Sequence, residues 1–106
     1  MDAQMKRGIL EMCILYQFLE GDFYGYDIMV KMKSCFPDVN DSSFYVILRR
    51  LEANGHTESY EGRESNGPKR KYYRITESGK QYLEELVTSW NRMKDIVESL
   101  GIGVKE

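Results

Sequence analysis

The sequence predicts an α+β fold that is mainly α, with three short helices, a two-stranded hairpin and one long final helix. Three observations predict it. Apolar residues recur at intervals of three and four in four separate stretches, which is the helical period. Between the third and fourth stretches, residues 56–62 and 71–75 are rich in Thr and Tyr and are separated by turn-forming residues. The chain of 106 residues is 42% hydrophobic, with 8 Tyr, 4 Phe and 1 Trp. That is enough for a modest core and excludes a disordered chain, while no apolar run approaches the roughly 20 residues of a membrane span.

The first helix is read from Asp2 to Leu19. Met5, Ile9, Met12, Tyr16 and Leu19 form one stripe along it, and Leu10, Ile14 and Phe18 a second. Two stripes exceed what one small core requires, so part of this helix is expected to meet something besides its own core. Cys13, beside Met12 and Ile14, reads as a small core hydrophobe. Gly21-Asp22 ends the helix. The second opens at Phe23-Tyr24-Gly25-Tyr26-Asp27 and runs to about Cys35, with Ile28, Met29 and Met32 inward and Lys31 and Lys33 in water. Pro37 and the turn Asp38 to Asp41 close it. The third helix takes Asp41 or Ser42 as N-cap, points Phe44, Ile47, Leu48 and Leu51 inward, and stops at Asn54-Gly55. Its opposite face is expected to present Ser42, Ser43, Tyr45, Val46, Arg49 and Arg50.

The hairpin strands, His56 to Gly62 and Lys71 to Ile75, flank a basic tip from Arg63 to Arg70. Alternation puts Tyr73 and Ile75 on the buried face, and Tyr72 and Arg74 on the other. Thr76 caps the final helix, which runs to about Leu100 and ends at Gly101. Leu83, Leu86, Trp90, Met93, Val97 and Leu100 step by three and four, a heptad seam from Leu86 onward. About 24 residues at ~1.5 Å each make a rod of roughly 36 Å, longer than the preceding elements can cover. Its far half would stand in water unless it packed back on the first helix of its own chain or, as its length favours, a second chain buried it. Leu86, Trp90, Met93, Val97 and Leu100 are therefore candidate dimerisation residues.

Fifteen basic and 17 acidic residues give a net charge of −2, not the basic excess usual in nucleic-acid binders. The distribution reverses that objection. Residues 1–40 hold 4 basic and 6 acidic side chains, residues 41–75 hold 7 and 5, and residues 76–106 hold 4 and 6. The only basic excess falls on the third helix and hairpin. Three helices followed by a basic-tipped hairpin is the order of a winged helix-turn-helix, in which the third helix enters the major groove. Candidate contacts to double-stranded operator DNA are Ser42, Ser43 and Tyr45 at the third helix's first turn, Arg49 as reader of a guanine edge, and Lys69, Arg70, Lys71 and Tyr72 at the tip. An enzyme is poorly supplied: the chain has one histidine, no phosphate-cradling glycine loop, and two cysteines, Cys13 and Cys35, without metal-ligand spacing. No catalytic residue, metal or cofactor is expected. The opening MDAQMKRG lacks the plan of a signal peptide, which leads to the expectation of a cytoplasmic location.

Tyr24-Gly25-Tyr26-Asp27-Ile28, Ser43-Phe44-Tyr45-Val46-Ile47-Leu48-Arg49-Arg50-Leu51-Glu52 with Gly55, and Lys71-Tyr72-Tyr73-Arg74-Ile75-Thr76-Glu77-Ser78-Gly79 resemble the PadR family of bacterial transcriptional regulators. The third motif is the most specific, and the resemblance spans nearly the whole chain. Within the family it resembles the short subgroup with a single C-terminal helix. Ser89-Trp90-Asn91-Arg92 and Ile96-Val97-Glu98-Ser99-Leu100 are similar to the final helix of multidrug-sensing members, where two tryptophans flank a flat aromatic-binding pore at the dimer interface. The resemblance implies a homodimeric, ligand-responsive repressor in which Trp90 contacts a small planar aromatic effector, with Met5, Gly8, Met12 and Tyr16 as lining. His56 and Thr57 stand where the family usually has apolar residues, implying different packing at the start of the wing, and Lys94 disfavours cationic ligands. On this reading residues 1–106 form a single domain. Residues 1–75 are its winged helix-turn-helix DNA-binding part and 76–106 its C-terminal dimerisation helix and tail, with no membrane partner.

Overall fold

The computed structural model describes residues 3–62 and 67–103, without the side chains of residues 3–5. Met5 as effector lining and Arg63 at the hairpin tip therefore lie outside the described residues. The elements follow in the order α1 (Ala3–Gln17), β1 (Phe23–Tyr24), α2 (Gly25–Cys35), α3 (Asp41–Ala53), β2 (Thr57–Gly62), β3 (Arg70–Ile75) and α4 (Glu77–Ser99). This is the mainly α winged-helix arrangement that the periodicities predict. The hairpin is β2 and β3, antiparallel from Thr57 opposite Ile75 to Gly62 opposite Arg70.

One strand was not anticipated. Phe23 and Tyr24, read as the opening of the second helix, instead pair with Tyr73 and Tyr72 and extend the sheet to the order β1-β3-β2. Tyr24 is extended (φ −65°, ψ 136°) and serves as the N-cap of α2. Phe23 meets Phe18 edge-on, ring centroids 5.9 Å apart, which anchors the strand on the end of α1. Two residues are too few to display a strand's alternation.

The core joins all three N-terminal helices. Phe44, Ile47, Leu48 and Leu51 of α3 and Ile28, Met29 and Met32 of α2 are buried, as their spacing requires. From α1 come Leu10, Ile14 and Phe18 with Leu15 beside them, whereas Tyr16 and Leu19 remain exposed. Met12 and Cys13 pack on the core's edge, and burial pushes the Cys13 thiol pKa up, as in an unreactive packed cysteine.

Helix α3 is capped by Asn40, one residue earlier than expected and without a side-chain cap bond, while Asp41 lies in the first turn at 3.7 Å from Lys33. Its other end is a Schellman motif. Gly55 adopts φ 78°, the His56 N–H donates to the Leu51 carbonyl at 2.9 Å, and the Gly55 N–H to Glu52 at 3.0 Å. The chain thereby leaves α3 directly into β2. Thr76 caps α4 by accepting the Gly79 N–H at 3.0 Å. Leu83 of α4 is 4% exposed and Leu86 and Val87 pack on the core's edge, but Trp90 is 41% and Leu100 is 70% exposed. The far half of α4 thus projects beyond the core. No helix among the described residues is long and apolar enough to cross a membrane.

Candidate nucleic-acid interface

Helix α3 turns Ser42 and Arg49 to solvent, with Ser43 half-buried. Tyr45, expected on the open face, is instead half-buried against the core, and burial, followed by the neighbouring Tyr24, pushes its phenol pKa up. Arg50 is likewise drawn inward, its Nη1 3.8 Å from the Glu11 carboxylate of α1. Glu11 is 5% exposed, and it also accepts the Tyr82 hydroxyl of α4 at 2.5 Å and lies 3.9 Å from Arg7 Nε. A single carboxylate so joins α1, α3 and α4. The sequence carried a signal for it, an acid between Leu10 and Met12 in an apolar run, since a charge there is costly unless it is partnered.

The Tyr82 phenol is pushed up to about 12, chiefly by burial and then by its bond to Glu11. The unfolded chain would ionise it near 10, so the native state holds the proton more tightly. Its contribution to stability is intact below about pH 10 and is lost as pH rises through about 12. Tyr82→Phe should therefore flatten the alkaline fall in stability, followed by denaturant unfolding from about pH 9 to 12. Identical slopes in both proteins would contradict this assignment. The His56 ring stacks on Tyr82 at 4.2 Å and its Nδ1 is 3.2 Å from Ser78 Oγ, so an aromatic face takes the place of an aliphatic contact. Thr57 is buried with its hydroxyl unpartnered among the described residues, occupying a position suited to an apolar side chain.

Strand alternation divides the basic residues of the wing. Arg70, Tyr72 and Arg74 share the outer face, where Tyr24, Tyr72 and Tyr60 form a row at centroid spacings of 6.0 and 5.7 Å. Arg70 lies over the Tyr24 ring at 4.9 Å and Arg74 over Tyr60 at 5.1 Å, Arg74 also bonding Glu58 at 2.7 Å. The Tyr60 hydroxyl donates to Asp22 at 2.6 Å, and Lys69 sits 3.6 Å from Glu61. Lys71 is turned the other way: its Nζ donates to Glu52 Oε1 of α3 at 3.1 Å, while the Ser59 hydroxyl donates to the other Glu52 oxygen. These two bonds, Ser59 first, hold the Glu52 carboxyl below its ordinary range. Lys71 thus faces away from Arg70 and braces the wing against α3. Its parity with Tyr73 and Ile75 was readable in the sequence.

A second feature lies between α1 and the far half of α4. A groove of ≈ 750 Å³ is lined by Gly8, Ile9 and Met12 on one side and by Leu86, Trp90, Met93 and Val97 on the other, with Lys94 and Glu98 supplying charge. It brings Gly8, Met12 and Trp90 together, but not Tyr16. One helical turn farther along α1, Tyr16 and Leu19 line a separate hollow against the first half of α4, with Lys80, Leu83 and Val87. No group of His, Cys, Asp or Glu able to hold a metal occurs among the described residues.

Comparison with known proteins agrees with this geometry. The family described as "Transcriptional regulator PadR-like family" matches residues 14–85. A Lysinibacillus sphaericus protein described only as uncharacterized is 41% identical over 99 residues, 91% of each chain. The crystal structure of a PadR-like transcriptional regulator from Bacillus cereus is 38% identical, with a TM-score of 0.83 over 96% of this chain and 100% of the other. A transcriptional regulator from Clostridium thermocellum is 30% identical, with a TM-score of 0.79 over 99% of both chains.

Proposed function

Because the chain belongs to the PadR-like family of transcriptional regulators, and so is a DNA-binding regulator and not an enzyme, we propose that it is a homodimeric repressor that responds to a ligand. Two copies would engage a pseudo-palindromic operator with half-sites about one helical turn apart. On this reading residues 1–75 bind DNA and residues 76–106 dimerise, in the cytoplasm. Ser42, Ser43 and Arg49 of α3 with Lys69, Arg70 and Tyr72 of the wing meet the duplex, Tyr45 supports them from the core's edge, and Lys71 sets the wing's angle.

One observation carries the proposal: Trp90, Met93, Val97 and Leu100 leave the core as an exposed apolar row beside Gly8 and Met12. A second α4 packed along this row would close the groove into a flat apolar slot. A small planar aromatic molecule, neutral because Lys94 and Glu98 both line the groove and each repels one sign of charge, would lie against Trp90 there. If it prefers one spacing of the two DNA-binding heads, it changes operator affinity by up to its differential affinity for the two states.

Trp90 is the only tryptophan, so its emission reports this slot directly. Titration with acridine, a planar and neutral probe, should quench it saturably and weaken operator binding together. A Trp90→Ala dimer that releases operator at the same acridine concentration would rule out the slot as the effector site.

A further inference from the structure

We propose that the first turns of α1 supply a second clamp on the DNA backbone, in which Lys6 and Arg7 act with Ser42 and Ser43 of α3. This rests on the DNA-binding reading and extends it to an element outside the third helix and wing.

Lys6 and Arg7 share a hollow of ≈ 290 Å³ with Ser42, Ser43, Val46 and Arg50. Three cations therefore converge on one small concavity. The Glu11 carboxylate beside it is shared between Arg7 at 3.9 Å and Arg50 at 3.8 Å, while its short bond, 2.5 Å, goes to the Tyr82 hydroxyl. Asp41, in the first turn of α3, is 3.7 Å from Lys33. Three positive charges against the one negative charge of Glu11 leave the hollow two positive.

A phosphodiester group matches this site in charge and hydrogen bonding. The hollow is lined by cations, it offers two serines as hydroxyl donors, and it opens beside the N-terminal turn of the helix assigned to the major groove. The phosphates bordering that groove are the anions within reach. Arg50 is held by Glu11 and shapes the wall, whereas Lys6 and the exposed Arg7 reach outward. Counting charge along the sequence concealed the site, because both residues fall in the net acidic segment 1–40 and only folding sets them against α3.

The test is the salt dependence of binding to a labelled nonspecific duplex, measured by fluorescence anisotropy from about 50 to 200 mM NaCl. The slope of log affinity against log salt should become shallower by about 0.9 for each contact removed, so by about 1.8 per bound chain in K6A/R7A. Over that fourfold range of salt the double variant then loses about 12-fold less affinity per chain than the wild type. The charge-preserving K6R/R7K should keep the wild-type slope. An unchanged slope in K6A/R7A overturns the clamp, as does K6R/R7K weakening binding as much as K6A/R7A. Failure of the wild type to bind any duplex at low salt would instead overturn the DNA-binding reading itself.

Discussion

Gly79→Ala should destabilise the protein by about 3 kcal/mol or more, lowering the melting temperature by at least about 12 °C for a domain of this size. A Cβ at position 79 would lie 2.0 Å from the His56 carbonyl oxygen and 2.7 Å from Ile75 Cγ1. Neither neighbour can yield. The His56 carbonyl accepts the Thr76 N–H at 3.1 Å, and His56 itself is fixed by the Schellman turn that ends α3. The added methyl must therefore push the first turn of α4 off the base of the wing, breaking the Thr76 cap as it goes. Gly8→Ala is the contrasting glycine substitution, since nothing in its own chain lies within 4 Å of the added Cβ and alanine is the better helix former. Its melting temperature should stay level or rise slightly. Circular dichroism melts at one protein concentration compare the two, and a Gly79→Ala protein melting within a few degrees of wild type would show that the close approach is not as drawn.

The other large effect is expected at Val97. Val97→Glu should leave the fold of each chain intact, because the residue is partly exposed and lies beyond the core, yet it should convert the protein to monomer. Two carboxylates would then face an apolar seam and each other, and burying them unpaired costs far more than the lost methyl contacts. Operator affinity should fall by about 10²–10⁴-fold, the range by which linked half-site contacts exceed independent ones. Secondary structure should be unchanged by circular dichroism. Operator binding equal to wild type would remove α4 from the assembly.

What could be read from the sequence was what depends on local period and local turns. Ile28, Met29 and Met32, and likewise Phe44, Ile47, Leu48 and Leu51, are spaced so that only one face of each helix can be buried, and those faces are the buried ones. Asn54-Gly55 marks the end of α3 and Thr76 the start of α4 by chemistry specific to helix ends. Where two answers had similar apolarity, the sequence did not choose. Helix α1 carries two stripes, and its rotation, which buries Leu15 and exposes Tyr16, is set by the partners it meets. Strand β1 exists because β3 offers an edge, a fact of the fold and not of Phe23-Tyr24 alone.

The candidate DNA-contact and effector residues divide in the same way. Ser42 and Arg49 are open because their helical positions oppose the core face. Arg50 and Tyr45 share that arc but are claimed by tertiary partners, Glu11 and the core's edge, respectively. Lys71 illustrates a signal present but outweighed: three consecutive cations read as one patch, although alternation along β3 must send Arg70 and Lys71 to opposite faces. Gly8, Met12 and Trp90 are grouped by the family resemblance and not by the residues alone; the apolar excess of α1 and α4 points only to a partner for those helices.

In the proposed assembly the unpartnered α4 is completed by a second copy of the chain. Sedimentation velocity of the wild-type protein at micromolar concentration tests it most directly. A single species at twice the mass of the 12.4 kDa chain, collapsing to one chain mass in Val97→Glu, is the predicted result. A wild-type protein that sediments as a monomer at that concentration would contradict the dimer, and with it the slot beside Trp90 and the coupling of ligand to DNA.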